Sequence, residues 1–274
     1  MVKHGAPPSH LTAKTVAVAF VLAVLVFAGI LLLPLLLESL PKDNTPAETD
    51  APTGRVRQYA LLFREAEGDL TGAVWLTADT RTCTMEAVGY PPQTEVAGDS
   101  GPATLSALFA ADGSTAAAAA LGDAVGGAPD GTLTFSVSGV AAFVNYLQNN
   151  LPYILPEPVG LLPAGAVTLT PMQTADLLRY SDWEGGAAGQ GAAHAGVMAA
   201  LFNRYLTDDR SLEADFSKLT ALCDDRLSIS QFAAVRDGLT ALAAANDGGI
   251  CTAVTAPGET VEQDGQIRYR LTAG

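Results

Sequence analysis

Residues Leu161–Leu206 read LLPAGAVTLTPMQTADLLRYSDWEGGAAGQGAAHAGVMAALFNRYL, and they combine a turn, a short strand, two helices and a Gly-rich connection. Thr170-Pro171 predicts a helix start, because threonine caps helices and proline suits the first helical position. That helix is expected to reach Arg179, and a second one to run from about Ala192 to Tyr205. The Gly/Ala-rich span between them is expected to be a flexible loop that suits ligand binding.

Strand-like and helix-like segments alternate along the chain from Gly54 onward. This alternation predicts an α/β fold, a single domain with a central mixed sheet flanked by helices. Asn149–Pro158 is expected to be an irregular connection, because proline interrupts regular structure. The other expected strands are Gly54–Phe63, Ala73–Thr77, Thr82–Val88, Thr132–Val137, Cys251–Thr255 and Ile267–Leu271, and the other expected helices are Gly101–Ala111, Thr115–Val125, Ser138–Leu147, Leu212–Cys223 and Ser230–Ala245.

The segment Thr15–Leu37 contains no charged residue and is rich in Val, Leu, Ala and Ile. A membrane-spanning helix needs about 20 predominantly apolar residues, so the segment predicts one transmembrane helix. A cleaved signal peptide is the alternative, but it would have a shorter apolar core and small residues at a cleavage site. The Leu-rich run that ends at Leu37 favours a retained anchor.

The charges beside this helix predict its orientation. Lys3 and Lys14 precede it and the first acidic residue is Glu38, and positive charge is favoured on the cytoplasmic side. Residues 1–14 are therefore expected to form a cytoplasmic tail, 15–37 the transmembrane helix, 38–54 a Pro-rich linker and 55–274 an extracellular domain. The chain is predicted to be a single-pass protein of the cell membrane.

The chain is acidic, with 29 Asp and Glu against 15 Lys and Arg and a formal net charge of −14. Proteins that bind nucleic acid need clustered cations to neutralise phosphates. This composition therefore predicts no nucleic-acid partner, and the acidity is expected to serve solubility.

The cysteines and histidines offer few chemical groups. The three cysteines, Cys83, Cys223 and Cys251, allow one disulfide outside the membrane, and Cys223–Cys251 is the favoured pair because both lie in the same C-terminal section. His194 is the only histidine of the predicted extracellular part. A zinc or Ser-His-Asp site would rest on it alone, so it is expected to be a core or solvent histidine.

Four local sequences occur in a particular order between Tyr59 and Leu271. They are the hairpin Ala73–Val88 ending in Pro91-Pro92-Gln93-Thr94, then Phe135–Leu147, then Leu162-Pro163-Ala164-Gly165 through Gln173 to Leu178-Arg179, and finally Ala256-Pro257-Gly258-Glu259. Together they resemble the LytR-CpsA-Psr family of Gram-positive-type bacteria. The resemblance implies an extracellular α/β domain that holds a polyprenyl-phosphate lipid and uses a divalent metal to transfer glycopolymers from the lipid pyrophosphate to peptidoglycan.

The polar residues of that family are largely replaced in this sequence. The family's Pro-Arg-Asp-Thr corresponds to Pro91-Pro92-Gln93-Thr94, and its Arg-x-Arg corresponds to Arg179-Tyr180-Ser181. The charged and amide residues of its Asp-x-x-Arg-x-x-Arg-Gln pattern correspond to Ala187, Gln190, Ala193 and His194. The position of its metal-binding aspartate falls near Thr71. The resemblance leaves Arg179 as the candidate phosphate-binding residue. Gln93, Gln190 and His194 are further candidates at the polar site, and Asp69, two residues from Thr71, is the metal candidate.

The lost charges bear directly on the chemistry. Neutralising pyrophosphate takes several arginine forks and a cation held by carboxylates. Arg179 cannot replace three or four arginines, and beside Asp182 and Glu184 it is expected to form a structural ion pair. No catalytic residue and no cofactor are therefore assigned, and Mg²⁺ would be needed only if the domain were active.

The first hypothesis for function is a non-catalytic module that binds a polyprenyl lipid or an envelope partner. It rests on an apolar framework that is retained while the polar site is lost. A set of apolar residues could line a lipid cavity or simply form the core, namely Phe135, Phe143, Leu147 and Leu178.

Two alternatives remain open. One is an active transferase that uses displaced groups, with Asp69 or Asp79 for the metal and Arg179, Arg64 or Arg81 for phosphate. The other is an envelope scaffold that binds partners through Tyr180 and Trp183 on an exposed loop, although Trp183 is equally suited to closing the core.

Overall fold

A computed structural model describes residues 56–65, 68–98, 101–148, 150–207, 242, 244, 249–263 and 265–272. The predicted cytoplasmic tail, the predicted transmembrane helix 15–37, the linker and nearly all of the helices predicted at 212–223 and 230–245 lie outside this range. The strands are β1 (Val56–Arg64), β2 (Leu70–Asp79), β3 (Thr84–Tyr90), β4 (Glu95–Gly98), β5 (Gly101–Thr104), β6 (Gly131–Ser136), β7 (Leu151–Leu155), β8 (Gly165–Leu169), β9 (Cys251–Thr255), β10 (Gly258–Gln263) and β11 (Gln266–Leu271). The helices are α1 (Leu105–Val125), α2 (Val137–Tyr146), α3 (Pro171–Arg179) and α4 (Gly186–Thr207).

Five strands form the central sheet in the order β6-β1-β2-β3-β9. β2 pairs antiparallel with β1 and with β3, while β6 and β9 join the two edges in parallel. Three two-stranded ribbons, β4–β5, β7–β8 and β10–β11, lie outside this sheet. The predicted mixed sheet flanked by helices is confirmed.

The sheet is buried on both faces, because successive side chains of each strand point to opposite sides. Ala60 and Leu62 of β1 belong to a core that includes Leu121 of α1. Leu61 and Phe63 belong to a second core, which is formed with α2, α3, α4 and the β7–β8 ribbon. On this side of the sheet, Gln190 and His194 of α4 meet Thr71 at the start of β2.

Helix α1 is long and apolar enough to cross a membrane by length and composition. Its Ala117, Ala118 and Leu121 are nevertheless buried in the core beside the sheet, and its backbone is interrupted at Gly113, which has φ 83° and ψ −174°. We therefore describe α1 as a core helix.

Two predicted helix starts are wrong. Residues 101–104 were expected to begin a helix, but they form β5, and the Thr104 hydroxyl caps α1 by accepting from Ala107 N at 3.2 Å. The span expected to be a flexible loop belongs to the first turns of α4. Glycine is required there, because a Cβ at Gly189 would lie 2.7 Å from Trp183 Cβ and one at Gly191 would lie 2.9 Å from Gly89 O.

The connection expected at 149–158 contains a regular strand. Leu151, Tyr153 and Leu155 are buried while Pro152 and Ile154 are exposed. Pro152 stands at an exposed position of a two-stranded ribbon, where the lost N–H is tolerated. Tertiary pairing with β8 therefore overrides the proline signal.

Candidate functional site

Helix α3 positions Arg179 in its last turn. Its start is fixed by a reciprocal cap, in which Thr170 Oγ1 accepts from Gln173 N at 3.3 Å and Gln173 Oε1 accepts from Thr170 N at 2.9 Å. The predicted Thr170-Pro171 helix start is confirmed. Leu177 and Leu178 are buried, so the helix is held in register and Arg179 is placed at its exposed end.

Arg179 forms an ion pair with Glu65, which follows β1. Its Nε donates to Glu65 Oε1 at 2.6 Å and its Nη2 to Glu65 Oε2 at 3.3 Å, while Asp176 lies 3.9 Å away. The hydrogen bond to Glu65 raises the pKa of Arg179. An ion pair was expected, but Asp182 and Glu184 were the wrong partners, since Ser181 Oγ donates to Asp182 at 3.1 Å and Glu184 forms no pair with Arg179.

The turn between β1 and β2 brings further charges to this place. Glu65 N donates to Asp69 O at 2.9 Å, and Arg64 Nη1 donates to Glu65 O at 3.0 Å. Arg64 and Arg179 therefore meet at Glu65, and Asp69 lies exposed in the same turn. The Glu65 carboxylate offsets the charge of Arg179, whereas the contact of Arg64 with Glu65 is to the backbone carbonyl oxygen.

Asp79 and Arg81, the other groups of the transferase alternative, lie elsewhere. They pair with one another at the far end of β2, where Arg81 Nη2 is 2.8 Å from Asp79 Oδ2. The Arg81 hydrogen bonds lower the pKa of Asp79 to about 2. A strand rises about 3.3 Å per residue, so nearly the whole length of β2 separates this pair from Thr71.

Behind the Arg179 ion pair, His194 of α4 forms a closed network with Thr71 and Gln190. Its Nδ1 donates to Gln190 O at 2.9 Å, and its Nε2 lies 3.3 Å from Thr71 Oγ1. Gln190 Nε2 donates to Thr71 O at 3.1 Å. A carbonyl oxygen can only accept, so Nδ1 carries a proton, and in the neutral ring Nε2 is an acceptor. The Thr71 hydroxyl also lies 3.2 Å from the Phe63 carbonyl oxygen, so its single proton is shared between that oxygen and His194 Nε2.

The surroundings of His194 keep it neutral. The side chain is completely buried, and this burial lowers its pKa to about 4, against a smaller opposite effect of the Gln190 carbonyl. The Phe63 ring packs against it at 5.2 Å between centroids. Gly72 admits it, because a Cβ there would lie 2.8 Å from three ring atoms.

Thr71, Gln190 and His194 are positions at which the resemblance implied a metal-binding aspartate, an arginine and a glutamine. The observed network contains neither a carboxylate nor an arginine, and the Phe63 carbonyl oxygen and His194 Nε2 both lie within hydrogen-bond distance of the Thr71 hydroxyl. Mg²⁺ prefers several carboxylate oxygens, but the described part of the chain contains no group of three His, Cys, Asp or Glu side chains that could hold a metal ion. The described residues therefore do not fit the family's metal.

Gln93 lies away from these contacts. Its carbonyl oxygen accepts from Tyr269 N of β11 at 2.9 Å. Its Oε1 is buried without a hydrogen-bond partner among the described residues. The structure shows no hydrogen bond that would link Gln93 to Arg179 or His194 in the described ranges.

The four candidate cavity residues lie in the second core. Leu147 and Leu178 are fully buried. Phe135 stacks on Phe63 at 5.9 Å, and Phe143 lies 5.7 Å from Tyr205, between ring centroids. All four therefore take part in the packing of this core, and Phe135 adjoins Phe63, which packs against His194.

The expectation of an exposed Tyr180–Trp183 patch is wrong. Trp183 is only 5% exposed and its Nε1 donates to Tyr180 O at 2.9 Å, so it closes the core and forms no exposed patch with Tyr180. Cys251 is buried, and burial raises the pKa of its thiol to about 12, while its disulfide with Cys223 stays a prediction. Its presumed partner, Cys223, lies outside the described residues.

Sequence reasoning missed two residues of the site. Glu65 gave no signal, because a solvent-accessible acid beside a turn is common. Gly72 did carry one, since an isolated glycine within a strand often marks a close approach by another group.

No protein-family model matches the sequence, and no curated protein matches it. Similar solved structures include a putative transcription regulator from Eubacterium siraeum, at 12% identity and TM-score 0.68 over 79% of this chain and 86% of that chain. TagV of B. subtilis is similar at 13% identity and TM-score 0.60, over 80% and 91%. TagT of B. subtilis is similar at 13% identity and TM-score 0.60, over 79% and 85%.

These matches cover about four-fifths of the chain, which agrees with the extent of the described elements. TagT, TagV and the related structures are LytR-CpsA-Psr proteins. At this level of identity the likeness concerns the path of the backbone and does not extend to the side chains of the site. The chain therefore has the fold of the LytR-CpsA-Psr proteins.

Proposed function

We propose that this chain is a membrane-anchored extracellular protein of the bacterial cell envelope, and that its LytR-CpsA-Psr-like domain is a non-catalytic binding module for a polyprenyl lipid or an envelope partner. The observation that carries the proposal is the closed polar site. Arg179 is paired with Glu65, and the neutral Thr71–Gln190–His194 network stands where pyrophosphate and metal would need charged groups.

The physical reason is the cost of placing a polyanion in such surroundings. Phosphoryl transfer relies on cations that stabilise the charge of the phosphate groups. Here Arg179 is paired with Glu65, so its positive charge is already offset before any phosphate group binds. His194 could attract an anion only as an imidazolium, and protonating it would place a charge in a desolvated environment, which costs free energy.

The predicted location supports an envelope role. Thr15–Leu37 and the preceding lysines predict a single-pass anchor with the domain outside. LytR-CpsA-Psr proteins are typically anchored in this way. The proposed class of ligand follows from the fold. A structure of TagT bound to LIIa-WTA is similar at 15% identity and TM-score 0.61, over 79% of this chain and 85% of that chain.

An active transferase that moves glycopolymers from polyprenyl pyrophosphate to peptidoglycan is the second candidate. One observation favours it, because Arg64 and Arg179 converge at the same turn as Glu65 and Asp69. It would require Arg179 to leave Glu65, and the metal would need donors that the described residues do not group together. An envelope protein-interaction scaffold is the third candidate, without the Tyr180–Trp183 patch.

Native mass spectrometry of the full-length chain, extracted in detergent from a bacterial membrane, tests the proposal. We expect a bound polyprenyl lipid or an envelope protein, together with no glycopolymer transfer to peptidoglycan when lipid-linked donor and Mg²⁺ are supplied. Transfer that Arg179→Ala abolishes would overturn the non-catalytic assignment. Absence of any lipid, even after addition of polyprenyl phosphate, would leave only the protein-binding role.

A further inference from the structure

A groove of about 830 Å³ lies between β9, α4 and the β7–β8 ribbon. It uses none of the polar-site residues described above, and its volume falls within the range of about 300–1,000 Å³ that is usual for ligand sites. Its floor is the small-residue face of α4, with Ala192, Gly196 and Ala200, and its far wall includes Pro152, Ile154 and Val167. Ile154 is 78% exposed.

The near wall is the edge strand β9. Two hydrogen bonds show which of its residues direct their backbone N–H and C=O groups toward β3. Met85 N donates to Ile250 O at 3.0 Å, and Ala256 N donates to Gly89 O at 3.3 Å. In a parallel ladder, alternate residues direct both backbone groups to the same neighbour. Even-numbered residues of β9 therefore direct their N–H and C=O groups toward β3, and odd-numbered residues direct theirs away from the sheet.

The first of these outward residues is already paired. Asn203 Nδ2 donates to Cys251 O at 2.8 Å and Asn203 Oδ1 accepts from Cys251 N at 2.8 Å. The side-chain amide thus takes the place of one residue of a neighbouring strand. The outward N–H and C=O groups of Ala253 and Thr255 have no such partner within the described ranges, and Ala253 lines the groove.

We infer that this edge is a docking site for an extended peptide segment of a partner protein, which adds to β9 beside Ala253 and Thr255 as a further strand. An extended backbone supplies donors and acceptors at the spacing that β9 presents. A hydrocarbon chain would fill the groove but leave these backbone groups unsatisfied. Most of the groove lining is small or apolar, although Asn203 and Arg204 also belong to it. The segment should therefore carry small or apolar side chains at the alternate positions that face the groove.

The small floor of the groove makes room for such side chains. Ala192 and Ala200 present only methyl groups to the groove. At Gly196 the space is taken by Tyr153, because a Cβ there would lie 2.8 Å from the Tyr153 hydroxyl oxygen. This inference goes beyond the proposed function, because it uses neither Arg179 nor the His194 network. It holds whether the polar site is active or not.

The test uses a library of random seven-residue peptides displayed on phage and selected against the full-length chain in detergent. Selected peptides are synthesised, and their affinities are measured by fluorescence anisotropy. Ala253→Pro removes the outward N–H and leaves the β3–β9 ladder intact, because proline is tolerated where an edge N–H is unused. Ala253→Ser keeps the N–H and is the matched control, and Ala200→Leu fills the groove without touching β9.

We expect selected peptides with alternating apolar residues, whose affinity falls roughly tenfold or more in Ala253→Pro and Ala200→Leu and stays within about twofold in Ala253→Ser. Methylation of alternate peptide amides should have the same effect as Ala253→Pro. Amide exchange at Ala253 and Thr255 should slow when peptide binds. Peptides that are insensitive to Ala253→Pro, a library that yields no binder, or an added polyprenyl phosphate that protects these amides would each overturn the inference.

Discussion

The Nε2 atom of His194 lies 3.3 Å from the Oγ1 atom of Thr71, across the contact between α4 and the start of β2. The two residues are 123 positions apart in the chain. Both are held by Gln190, whose carbonyl accepts from His194 and whose side chain donates to the Thr71 carbonyl. The network therefore couples the packing of α4 to the protonation state of one histidine.

Stability should depend on pH through His194. Its pKa is about 4 in the folded chain against a usual 6.5, so the unfolded chain binds the extra proton between these values. The free energy of unfolding should therefore fall as pH drops from about 6.5 to about 4, by roughly 3 kcal/mol at about 1.4 kcal/mol per unit. Urea unfolding of wild type and His194→Gln at several pH values measures this difference, and equal pH slopes would contradict it.

Gly72→Ala should destabilise the fold by about 1–3 kcal/mol, because the new Cβ overlaps the His194 ring. Thermal and denaturant unfolding give this value. Gly249→Ala is the control, since nothing lies within 4 Å of its Cβ position. The double variant with His194→Ala should recover part of the loss, and a purely additive result would show that the clash is elsewhere.

Glu65→Gln should increase the affinity for inorganic pyrophosphate by roughly tenfold, or about 1.4 kcal/mol, because it frees the Arg179 guanidinium. Isothermal titration calorimetry of the full-length chain measures this change. Asp123→Asn removes an equal charge at an exposed position of α1 and should have little effect. Tight binding by the wild type that Arg179→Ala abolishes would favour the transferase alternative.

Trp183→Ala should cost about 3–5 kcal/mol of unfolding free energy, because a large buried ring is removed from the core. Met172→Ala, at a side chain that is 73% exposed, should stay within about 0.5 kcal/mol. Chemical denaturation compares the two. If Trp183→Ala left stability unchanged and abolished partner binding, the exposed-patch hypothesis would return.

Asn203→Ala should destabilise the chain by about 1–3 kcal/mol, because both backbone groups of Cys251 lose their partner. Amide exchange at Cys251 should accelerate with it. Asn145→Ala, at an exposed position of α2, is the matched control. Unchanged exchange at Cys251 would mean that β9 does not depend on the side-chain amide.

Much of the fold could be predicted from local sequence. The Thr170-Pro171 cap, the hairpin of β2 and β3 and the closing strand at Cys251–Thr255 appear where the sequence indicated them. These features depend on neighbours in the chain, which is why residue type and spacing suffice. The replacement of the family's arginines was equally visible, because it is a matter of residue identity.

The polar site could be predicted only in part. That Arg179 would form an ion pair followed from the acidic surroundings, but Glu65 is 114 positions away and only the folding of β1 against α3 brings it within 2.6 Å. The glycines of residues 185–191 suggested a loop, whereas close packing against Trp183 and Gly89 requires them within α4. Whether such a glycine-rich segment forms a loop or a helix depends on how it is buried, and burial is a property of the assembled core.

The sequence by itself determined an acidic α/β chain with a predicted membrane anchor and without the cations of a phosphotransferase. Tertiary structure alone decided that Arg179 would be neutralised by Glu65, that His194 would be a buried neutral base, and that Ala253 would stand at an open strand edge. The reason is that charge state and exposure depend on contacts between residues distant in the chain.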